Sequence, residues 1–515
     1  MALLQPVDAP REVHGPRRIG VYNPATLESL GEIEVASAQD VRDAVARARD
    51  AQPAWAELSF SRRGSYLLKL REQLVDRTDE IVDTICADTG KPRLEAVATE
   101  ILAACDSLTY YARRSEKLLA DERKPLHLMK TKKLVISHRP MGVIGIITPW
   151  NFPFVLSLNP SIQALMAGNS VVLKPSEVTP FVGIKLRELF EAAGFPPGVF
   201  EVVTGDGTTG AALVEAGCDK ISFTGSVRTG RKIAEACGRQ LIPCTLELGG
   251  KDPMIVCDDA NVERAAKGAV WSAFANAGQI CMSTERVYVT EKNAAPFIDR
   301  VVELTKELRQ GPESEGEVDV GSLTFAPQLE VIDKHVKDAV EKGAVVLTGG
   351  QRNPDFEGYF YEPTVLVNVD HSMTIMRDET FGPTLPIQVV ADEDEALRLA
   401  NDSKYGLQAS VWTRDAYKAK KIARALNAGG ITVDDTMVTY GVTESPFGGV
   451  NDSGIGRVNG ELGLKSYCHT QSLVLPRWGI RAGALGYPYS NSMVVQIKRV
   501  LHLLYRSPLG RILGN

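Results

Sequence analysis

The sequence lacks any apolar run long enough to cross a bilayer. Its longest run, residues 141–150, falls well short of the roughly 20 residues that a spanning helix needs. Residues 1–20 are rich in Pro, Arg and His and contain no apolar segment of the kind that secretory signals carry. These absences predict a cytoplasmic protein.

Cysteine and histidine are scarce and scattered. The eight cysteines include no pair at C-x-x-C spacing, and no Cys/His cluster has the spacing of metal ligands. A long chain of this kind is expected to keep free thiols in a reducing compartment and to hold no metal. None of the seven histidines falls beside a motif that would make it a base or a ligand.

A large excess of charge of one sign is also missing. The formal net charge is only −6 over 515 residues, which argues against nucleic acid as a partner. Hydrophobic residues make up 44% and charged residues 24%, so the chain can bury a sizeable core, and its length predicts two to four domains. The sequence contains no internal repeat and no low-complexity linker.

What the chain does contain is an alternation of short apolar runs with helix-like stretches. Ser37-x-x-Asp40 is typical of a helix start, and longer helices are predicted around 62–88 and 93–119. Apolar runs without polar alternation predict strands covered on both faces, at 143–148, 170–173, 199–203, 220–223 and 241–246. The same alternation of apolar runs and helix-like stretches resumes over 253–433. This pattern predicts two α/β domains side by side.

The Gly-x-Gly-x-x-Gly fingerprint of dinucleotide-binding domains is absent between a predicted strand and a helix. In its place, Ser222-Phe223-Thr224-Gly225-Ser226 ends a strand, and Gly225 to Gly230 opens a helix. Glycines at such a turn let a pyrophosphate approach the free N–H groups of the helix N-terminus. Taken alone, this spacing also suits a plain tight turn.

Six short strings follow one another along the chain: Pro149-Trp150-Asn151-Phe152-Pro153, Leu173-Lys174-Pro175-Ser176-Glu177, Phe223-Thr224-Gly225-Ser226, Glu247-Leu248-Gly249-Gly250-Lys251, Gly278-Gln279-Ile280-Cys281 and Glu379-Thr380-Phe381-Gly382-Pro383. In this order they resemble the aldehyde dehydrogenase superfamily, from about residue 20 to residue 475. The resemblance implies an α/β fold with a Rossmann-like cofactor domain, an α/β catalytic domain and a small β arm for oligomerisation. It implies a homodimer or a homotetramer.

The expected domain ranges follow from the same resemblance. The cofactor domain is expected over 1–120 and 140–248, and the catalytic domain over 249–460. The oligomerisation arm is expected over 121–139 and 461–480, followed by a C-terminal amphipathic extension at 481–515.

The resemblance implies covalent catalysis by three residues. Cys281 is the nucleophile, because oxidation of an aldehyde needs a tetrahedral adduct that can expel hydride. The Asn151 amide and the Cys281 backbone N–H stabilise the oxyanion, and Glu247 activates the water that cleaves the thioester. Members that transfer the acyl group to coenzyme A typically lack this glutamate, so a free acid is expected. Without the resemblance, Cys281 suits a buried hydrophobe, Asn151 a turn residue, and Glu247 a solvated carboxylate or a partner of Lys251.

The resemblance also implies a site for NAD, with NADP left open. A carboxylate at Glu177 accepts from ribose hydroxyls and repels a 2′-phosphate, which favours NAD, whereas lysine at the position of Lys174 admits NADP in some members. Glu379 and Phe381 are expected to hold the nicotinamide ribose and ring, although they also suit an ordinary turn. The implied cofactor-binding residues are Thr148, Trp150, Lys174, Ser176, Glu177, Gly225, Ser226, Gly230, Leu248, Glu379 and Phe381.

The residues that follow the region of resemblance have a pattern of their own. Over 492–505, apolar residues recur at helical spacing opposite Lys498, Arg499, His502 and Arg506. This pattern predicts a basic amphipathic helix, and a position on a membrane surface is one interpretation of it. Packing against its own subunit or a neighbouring one is the other interpretation.

The sequence therefore predicts an NAD(P)-dependent enzyme that oxidises an aldehyde to a carboxylic acid. A hydrophobic aliphatic or aromatic aldehyde and succinic semialdehyde both stay open as substrates. A cofactor-free cysteine esterase would share Cys281 and Asn151 but would have no use for Lys174, Glu177 or Gly225. A catalytically silent protein on this fold should have lost a catalytic residue, and all three are present.

Overall fold

The computed structural model describes residues 17–312, 317–477, 487–506 and 508. Its strands are β1 (Arg18–Tyr22), β2 (Ser29–Glu34), β3 (Glu122–Lys124), β4 (Lys132–Pro140), β5 (Val143–Ile147), β6 (Ser170–Lys174), β7 (Phe200–Val202), β8 (Lys220–Thr224), β9 (Cys244–Glu247), β10 (Asp252–Val256), β11 (Thr284–Thr290), β12 (Val345–Thr348), β13 (Thr364–Val367), β14 (Thr384–Val390), β15 (Gln408–Trp412), β16 (Gly430–Val433), β17 (Gly454–Ile455) and β18 (Cys468–Pro476).

The α-helices are α1 (Ala38–Ala56), α2 (Phe60–Asp76), α3 (Thr78–Thr89), α4 (Arg93–Glu95), α5 (Ala103–Leu118), α6 (Val155–Met166), α7 (Pro180–Ala192), α8 (Gly207–Glu215), α9 (Val227–Gln240), α10 (Val262–Phe274), α11 (Glu291–Lys306), α12 (Pro327–Glu341), α13 (Thr374–Arg377), α14 (Glu393–Asn401), α15 (Ala416–Ala425), α16 (Gly460–Lys465) and α17 (Asn491–Arg506). A π-helical segment, Ala96–Leu102, joins α4 to α5.

The chain forms two compact units, and the larger one comprises Met1–Ala120 and His138–His469. It contains a six-stranded sheet in the order β17-β9-β8-β5-β6-β7, parallel except for β17. A seven-stranded sheet has the order β12-β13-β14-β11-β10-β15-β16 and is parallel except for β12. The predicted α/β class with Rossmann-like parallel sheets is confirmed.

The central strands of both sheets are buried along their whole length and consist mainly of apolar residues. Every residue of β5, β6 and β10 is buried, as expected for parallel strands that are covered by helices on both faces. Helix α6 follows β5 and is buried on all sides, so it fixes the position of the loop that precedes it. That loop carries Trp150 and Asn151, at the carboxyl edge where α/β sheets bind ligands.

Two predicted helices differ in detail from the structure. The stretch predicted as one helix over 62–88 is divided at Arg77, whose φ of −112° and ψ of 24° are not helical. The stretch predicted over 93–119 is helical but contains the π segment. A one-residue break or a wider turn leaves the spacing of apolar residues almost unchanged, so periodicity does not reveal it.

The smaller unit comprises Asp121–Ser137 and Thr470–Asn515. A three-stranded sheet in the order β18-β4-β3 brings together a segment that interrupts the larger unit in sequence and one that follows it. The predicted C-terminal helix is present as α17, whereas residues 478–480 of the predicted arm and residues 481–486, 507 and 509–515 of the predicted extension lie outside the described residues. No helix of the described part of the chain is long and apolar enough to cross a membrane.

The predicted domain ranges stay a prediction. The short strand β17 lies within the range predicted for the catalytic domain, and it pairs antiparallel with β9 of the six-stranded sheet. The chain therefore returns to that sheet after it completes the seven-stranded one.

Candidate active site

A cleft of about 390 Å³ contains the predicted nucleophile and the predicted base. It is lined by Leu156, Pro160, Ser222, Thr224, Glu247, Leu248, Cys281, Tyr440, Phe447 and Val458. Strand β9 ends at Glu247, and Cys281 lies just before the start of β11, so the two sheets supply one reactive group each. The fold thus places both groups on the wall of one cavity.

The loop before Cys281 has an unusual backbone. Asn276, Ala277 and Gly278 all have positive φ angles, of 49°, 53° and 73°. A Cβ at Gly278 would lie 2.2 Å from the carbonyl oxygen of Gly382, so only glycine fits there. Three successive left-handed residues are strained and persist only where the surroundings hold them. The loop is held in part by Glu95, whose carboxylate accepts from the Asn276 backbone N–H at 2.9 Å.

The Cys281 side chain is partly buried among apolar residues at the cleft wall. Burial raises the pKa of its thiol, and the nearby carboxyl groups of Asp252, Glu379 and Glu247 raise it further. The thiol is therefore protonated at neutral pH in the free protein, and a base must accept its proton before the sulfur can attack a carbonyl.

Asn151 is buried and linked to the nucleophile loop. Its Nδ2 donates to the backbone carbonyl of Gln279 at 2.9 Å. The backbone carbonyl of Asn151 accepts from Lys91 Nζ at 2.9 Å and from Asn276 Nδ2 at 3.1 Å. A side-chain amide has two N–H donors, and the bond to Gln279 uses one of them. A plain turn residue would not need these contacts, whereas an oxyanion donor needs a fixed position.

Glu247 is buried with no charged partner. Among the described residues, no donor lies within hydrogen-bond distance of either carboxylate oxygen. Burial raises the pKa of this carboxyl well above its usual range, although the positive charge of Arg457 opposes the shift. Lys251 pairs instead with Glu285, with Nζ 2.5 Å from Oε2. Neither alternative for Glu247, a solvated carboxylate or a partner of Lys251, fits this arrangement.

The predicted ribose-binding residues lie at the carboxyl end of β6. Lys174 is buried, and its Nζ donates to Glu177 Oε2 at 2.8 Å, while the Glu177 side chain is 38% exposed. Thr148 Oγ1 lies 2.9 Å from Ser157 Oγ, and Ser176 Oγ accepts from the Val178 N–H at 3.2 Å. The exposed carboxylate of this pair is positioned to accept from hydroxyl groups, as an adenosine ribose requires.

The turn between β8 and α9 has the features of an anion site. Ser226 caps α9, and its side chain accepts from the Thr229 N–H. A Cβ at Gly230 would lie 2.6 Å from Leu248 Cδ2, so the glycine allows the helix to pack closely on the end of the sheet. A Cβ at Gly225 would lie 2.6 Å from the Phe223 ring. Free N–H groups at this helix end suit a pyrophosphate.

Glu379 and Phe381 lie in a turn with an imposed conformation. Phe381 has φ of 53°, and its N–H donates to Glu285 Oε1 at 2.8 Å. Its ring meets Trp150 edge to face, with 5.4 Å between the ring centroids. Glu379 accepts from the Gly250 N–H at 3.1 Å, and burial raises its pKa to about 8. The turn is therefore tied to the residues that follow Glu247.

Several residues that support this site have no sequence signal. Lys91, Glu95 and Glu100 are buried or nearly buried beside Asn151 and the nucleophile loop, and Glu285 holds the turn at Phe381. Charged residues at these positions look like ordinary helix and strand-end residues, because nothing in their local spacing marks them as buried. Only their contacts with distant residues show what they do.

One group of potential metal ligands occurs among the described residues. Ligand atoms of Cys257, Asp259 and Glu393 lie within 4.8 Å of one another. Lys418 Nζ donates to Glu393 at 2.7 Å and to Asp259 at 3.3 Å. The ammonium group of Lys418 already forms ion pairs with these carboxylates, so the geometry is that of an ion-pair cluster.

The chain is similar to known proteins over most of its length. The model of the aldehyde dehydrogenase family matches residues 11–473. A Mycolicibacterium smegmatis protein named "Putative succinate-semialdehyde dehydrogenase (NADP+)" is 42% identical over 454 residues, which cover 88% of this chain and 87% of that protein. The 4,4′-diapolycopene aldehyde oxidase of a Methylomonas species is 38% identical, covering 95% and 91%. The NAD+ complex of a Bacillus cereus aldehyde dehydrogenase has a TM-score of 0.86 and 35% identity, covering 89% and 93%.

Proposed function

The chain belongs to the aldehyde dehydrogenase family, whose members oxidise aldehydes with NAD(P), and from this premise we propose that it converts a hydrophobic aldehyde and water into a free carboxylic acid. The observation that supports hydrolysis is the carboxylate of Glu247, which is buried without a partner in the same cleft as Cys281. Two reactive groups on one cavity wall suit a two-step reaction through an acyl-enzyme.

In the first step, the sulfur of Cys281 forms a bond to the aldehyde carbon. Glu247 accepts the thiol proton in its carboxylate form, because burial raises its pKa and so makes the carboxylate a stronger base. The carbonyl oxygen becomes an oxyanion that accepts from Asn151 Nδ2 and the Cys281 N–H. Each such donor lowers the barrier by about 3 kcal/mol. A bound nicotinamide supplies the acceptor for the hydride that leaves the adduct.

In the second step, the thioester on Cys281 is hydrolysed. Glu247 first releases its proton to solvent and then takes one from a water molecule that attacks the acyl carbon. The bond between carbon and sulfur breaks, the acid leaves, and the thiol is restored when the sulfur is protonated. One aldehyde, one oxidised dinucleotide and one water give one acid, one reduced dinucleotide and one proton.

This mechanism is tested by trapping its intermediate. Enzyme mixed with aldehyde and oxidised dinucleotide, quenched in acid and digested, should show the acyl mass on the peptide that contains Cys281. The free acid should appear in the medium in the same amount as the reduced dinucleotide. Turnover without an acyl peptide and without dependence on Cys281 would overturn the proposal.

The donor set fits a dinucleotide, and we place its ribose at Lys174 and Glu177, its pyrophosphate at Gly225–Gly230 and its nicotinamide ribose at Glu379. The exposed carboxylate of Glu177 favours NAD over NADP, because it would repel a 2′-phosphate. The name of one relative specifies NADP+, and one structural neighbour was solved with NAD+. The preference for NAD or NADP therefore depends on how the Glu177 carboxylate and the Lys174 ammonium group contact the ribose.

Glu177→Gln is expected to raise kcat/KM for NADP relative to NAD by at least about tenfold. A like charge next to a phosphate costs several kcal/mol, and the change also frees Lys174 Nζ from its partner. Initial rates at saturating aldehyde with each dinucleotide measure the ratio. Glu188→Gln, on α7 and paired with Lys185, is the control and should leave it unchanged. An unchanged ratio in Glu177→Gln would place recognition of the 2′ position elsewhere.

The substrate class follows from the cleft lining. Leu156, Pro160, Phe447 and Val458 contribute apolar surface, and none of the described residues that line this cleft is Lys, Arg or His. A carboxylate on the substrate would lose its water there without gaining a cation, which is unfavourable. This supports a hydrophobic aldehyde, the class that the name of the Methylomonas relative also indicates. Succinic semialdehyde, which the name of another relative indicates, is the second candidate.

Butanal and succinic semialdehyde separate these candidates, because they share a four-carbon chain and differ by one carboxylate. We expect kcat/KM for butanal to exceed that for succinic semialdehyde by at least about tenfold, since an unpaired charge in an apolar site costs more than 1.4 kcal/mol. Longer aliphatic and aromatic aldehydes should be better still. The opposite ratio would establish the second candidate.

We also propose that the enzyme is a homodimer or a homotetramer assembled through the smaller unit. The sheet β18-β4-β3 contains two sequence-distant segments and ends at strand edges that another subunit can extend. Analytical ultracentrifugation measures the state directly, and a monomer at micromolar concentration would contradict the proposal.

A further part of the proposal is that α17 lies on an anionic membrane surface. Val494, Ile497, Val500 and Leu501 are between 44% and 51% exposed. Lys498, Arg499 and Arg506 lie among the polar residues of the helix, which contains no Asp or Glu, although the whole chain has a net charge of −6. An apolar face beside cationic side chains is complementary to an anionic lipid surface. Peripheral binding of this kind would bring hydrophobic aldehydes within reach.

The membrane proposal predicts binding to vesicles that contain phosphatidylglycerol but weak binding to pure phosphatidylcholine. Lys498→Glu with Arg499→Glu should weaken binding at least about tenfold, because each basic residue near such a surface contributes about 1 kcal/mol. Ile497→Ser with Leu501→Ser tests the apolar face separately. Cosedimentation measures both effects, with Arg42→Glu on α1 as the control. Equal binding by all variants, or none by the unmodified chain, would exclude this role and leave packing against a subunit.

A further inference from the structure

We infer that the buried ion pair of Lys91 and Glu100 positions Asn151 against the nucleophile loop and thereby controls the rate of adduct formation. This inference rests on the proposed function. Neither Lys91 nor Glu100 is among the described residues that line the cleft with Cys281, so both are positioning residues. Their contacts are with the backbone on both sides of the turn that carries Asn151.

The pair is completely enclosed. Lys91 is 1% exposed and Glu100 is 0% exposed, and Lys91 Nζ lies 2.6 Å from Glu100 Oε1. Glu100 lies in the π-helical segment, a rare geometry that frequently occurs at functional sites. A buried ion pair is weak support for a stabilising role, since apolar residues of similar volume often replace one at no cost. A role in geometry is the better account.

Each member of the pair holds one side of the turn. Lys91 Nζ donates to the Asn151 carbonyl at 2.9 Å and lies 3.9 Å from the centre of the Phe152 ring. Glu100 Oε2 accepts from the Phe154 N–H at 2.8 Å and from the Val155 N–H at 3.3 Å, at the start of α6. The ion pair therefore fixes the backbone from Asn151 to the first helical turn.

The other side of Asn151 faces the nucleophile loop. Asn276 Nδ2 donates to the carbonyls of both Asn151 and Gln279, at 3.1 Å and 3.2 Å. Asn151 Nδ2 donates to the same Gln279 carbonyl at 2.9 Å. The amide that is to stabilise the oxyanion is thus held between the ion pair and the residues that lead to Cys281. A displacement of about 1 Å in such a group costs about 10²-fold in rate.

The test is a double-mutant cycle between the pair and the residue it positions. Lys91→Met with Glu100→Gln removes both charges, keeps the volume and leaves an amide oxygen for the Phe154 N–H. We expect the rate of the hydride burst to fall about 10-fold to 100-fold, with little change in KM for the dinucleotide. Asn151→Ala alone should cost about 10²-fold to 10³-fold. The pair change added to Asn151→Ala should then cost less than about threefold more, because the positioned amide is already gone.

Two outcomes would overturn the inference: a burst rate like that of the unmodified enzyme, or full additivity with Asn151→Ala. If the two-residue variant does not fold, the isosteric Glu100→Gln takes its place in the same cycle. Arg63→Met is the matched control, because Arg63 is also a buried cation that donates to backbone carbonyls, those of Ala56 and Leu58. It should lower the melting temperature but not the burst rate. Failure of the proposed function is distinguishable, since the unmodified enzyme would then form no acyl peptide.

Discussion

Cys281→Ala is expected to lower formation of reduced dinucleotide from every aldehyde by at least about 10⁴-fold, to the limit of detection. The reason is that Cys281 is the only cysteine among the described residues that line the cleft, and loss of a covalent nucleophile removes the whole reaction path. Stopped-flow absorbance of the reduced dinucleotide measures the effect in a single turnover. Acyl mass should disappear from the corresponding peptide.

Cys105→Ala is the matched control for this experiment. Cys105 is also partly buried, but it lies on α5 and packs against the hydrophobic core that contains residues of β5 and β6. It should keep the full burst rate and the full turnover. If Cys281→Ala still turned over at a rate comparable to that of the control, the covalent mechanism would be wrong.

Glu247→Gln is expected to keep a hydride burst and to lose about 10²-fold to 10⁴-fold in steady-state turnover. The amide cannot take a proton from water, so deacylation becomes slow and the acyl-enzyme accumulates. The burst should be slower than in the unmodified enzyme, because Glu247 also accepts the thiol proton. Quenched-flow mass spectrometry follows the acyl peptide, and Glu235→Gln, on the exposed end of α9, provides the control.

The pH profile gives a second test of the same residue. Burial raises the pKa of Glu247, and the base acts only as a carboxylate, so turnover should increase as pH rises through that elevated pKa. The increase should be absent in Glu247→Gln. If turnover and its pH profile were unaffected, the base would have to be another buried carboxylate near the nucleophile, and Glu379, with a pKa of about 8, is the candidate.

The fold could be predicted because its strands can be recognised from short stretches of the sequence. The runs at β5 and β6 are mainly apolar without alternation, and that pattern has few explanations other than a covered parallel strand. The break at Arg77 and the π segment could not be predicted, since each changes the backbone by about one residue and leaves the apolar spacing intact.

The candidate reactive groups were predicted through the family resemblance, because Cys281, Asn151 and Glu247 each belong to a short string that keeps the family's order along the chain. The environments of these three residues could not be predicted. Lys251 pairs with Glu285, and Glu247 has no hydrogen-bond partner among the described residues. This arrangement depends on residues that two different sheets bring together. Burial, pKa and positioning are properties of three-dimensional neighbours, whereas spacing along the chain records only which residues follow one another. The type of reaction could therefore be inferred from the order of the motifs along the sequence. The arrangement of the groups that would carry it out is decided by the tertiary structure.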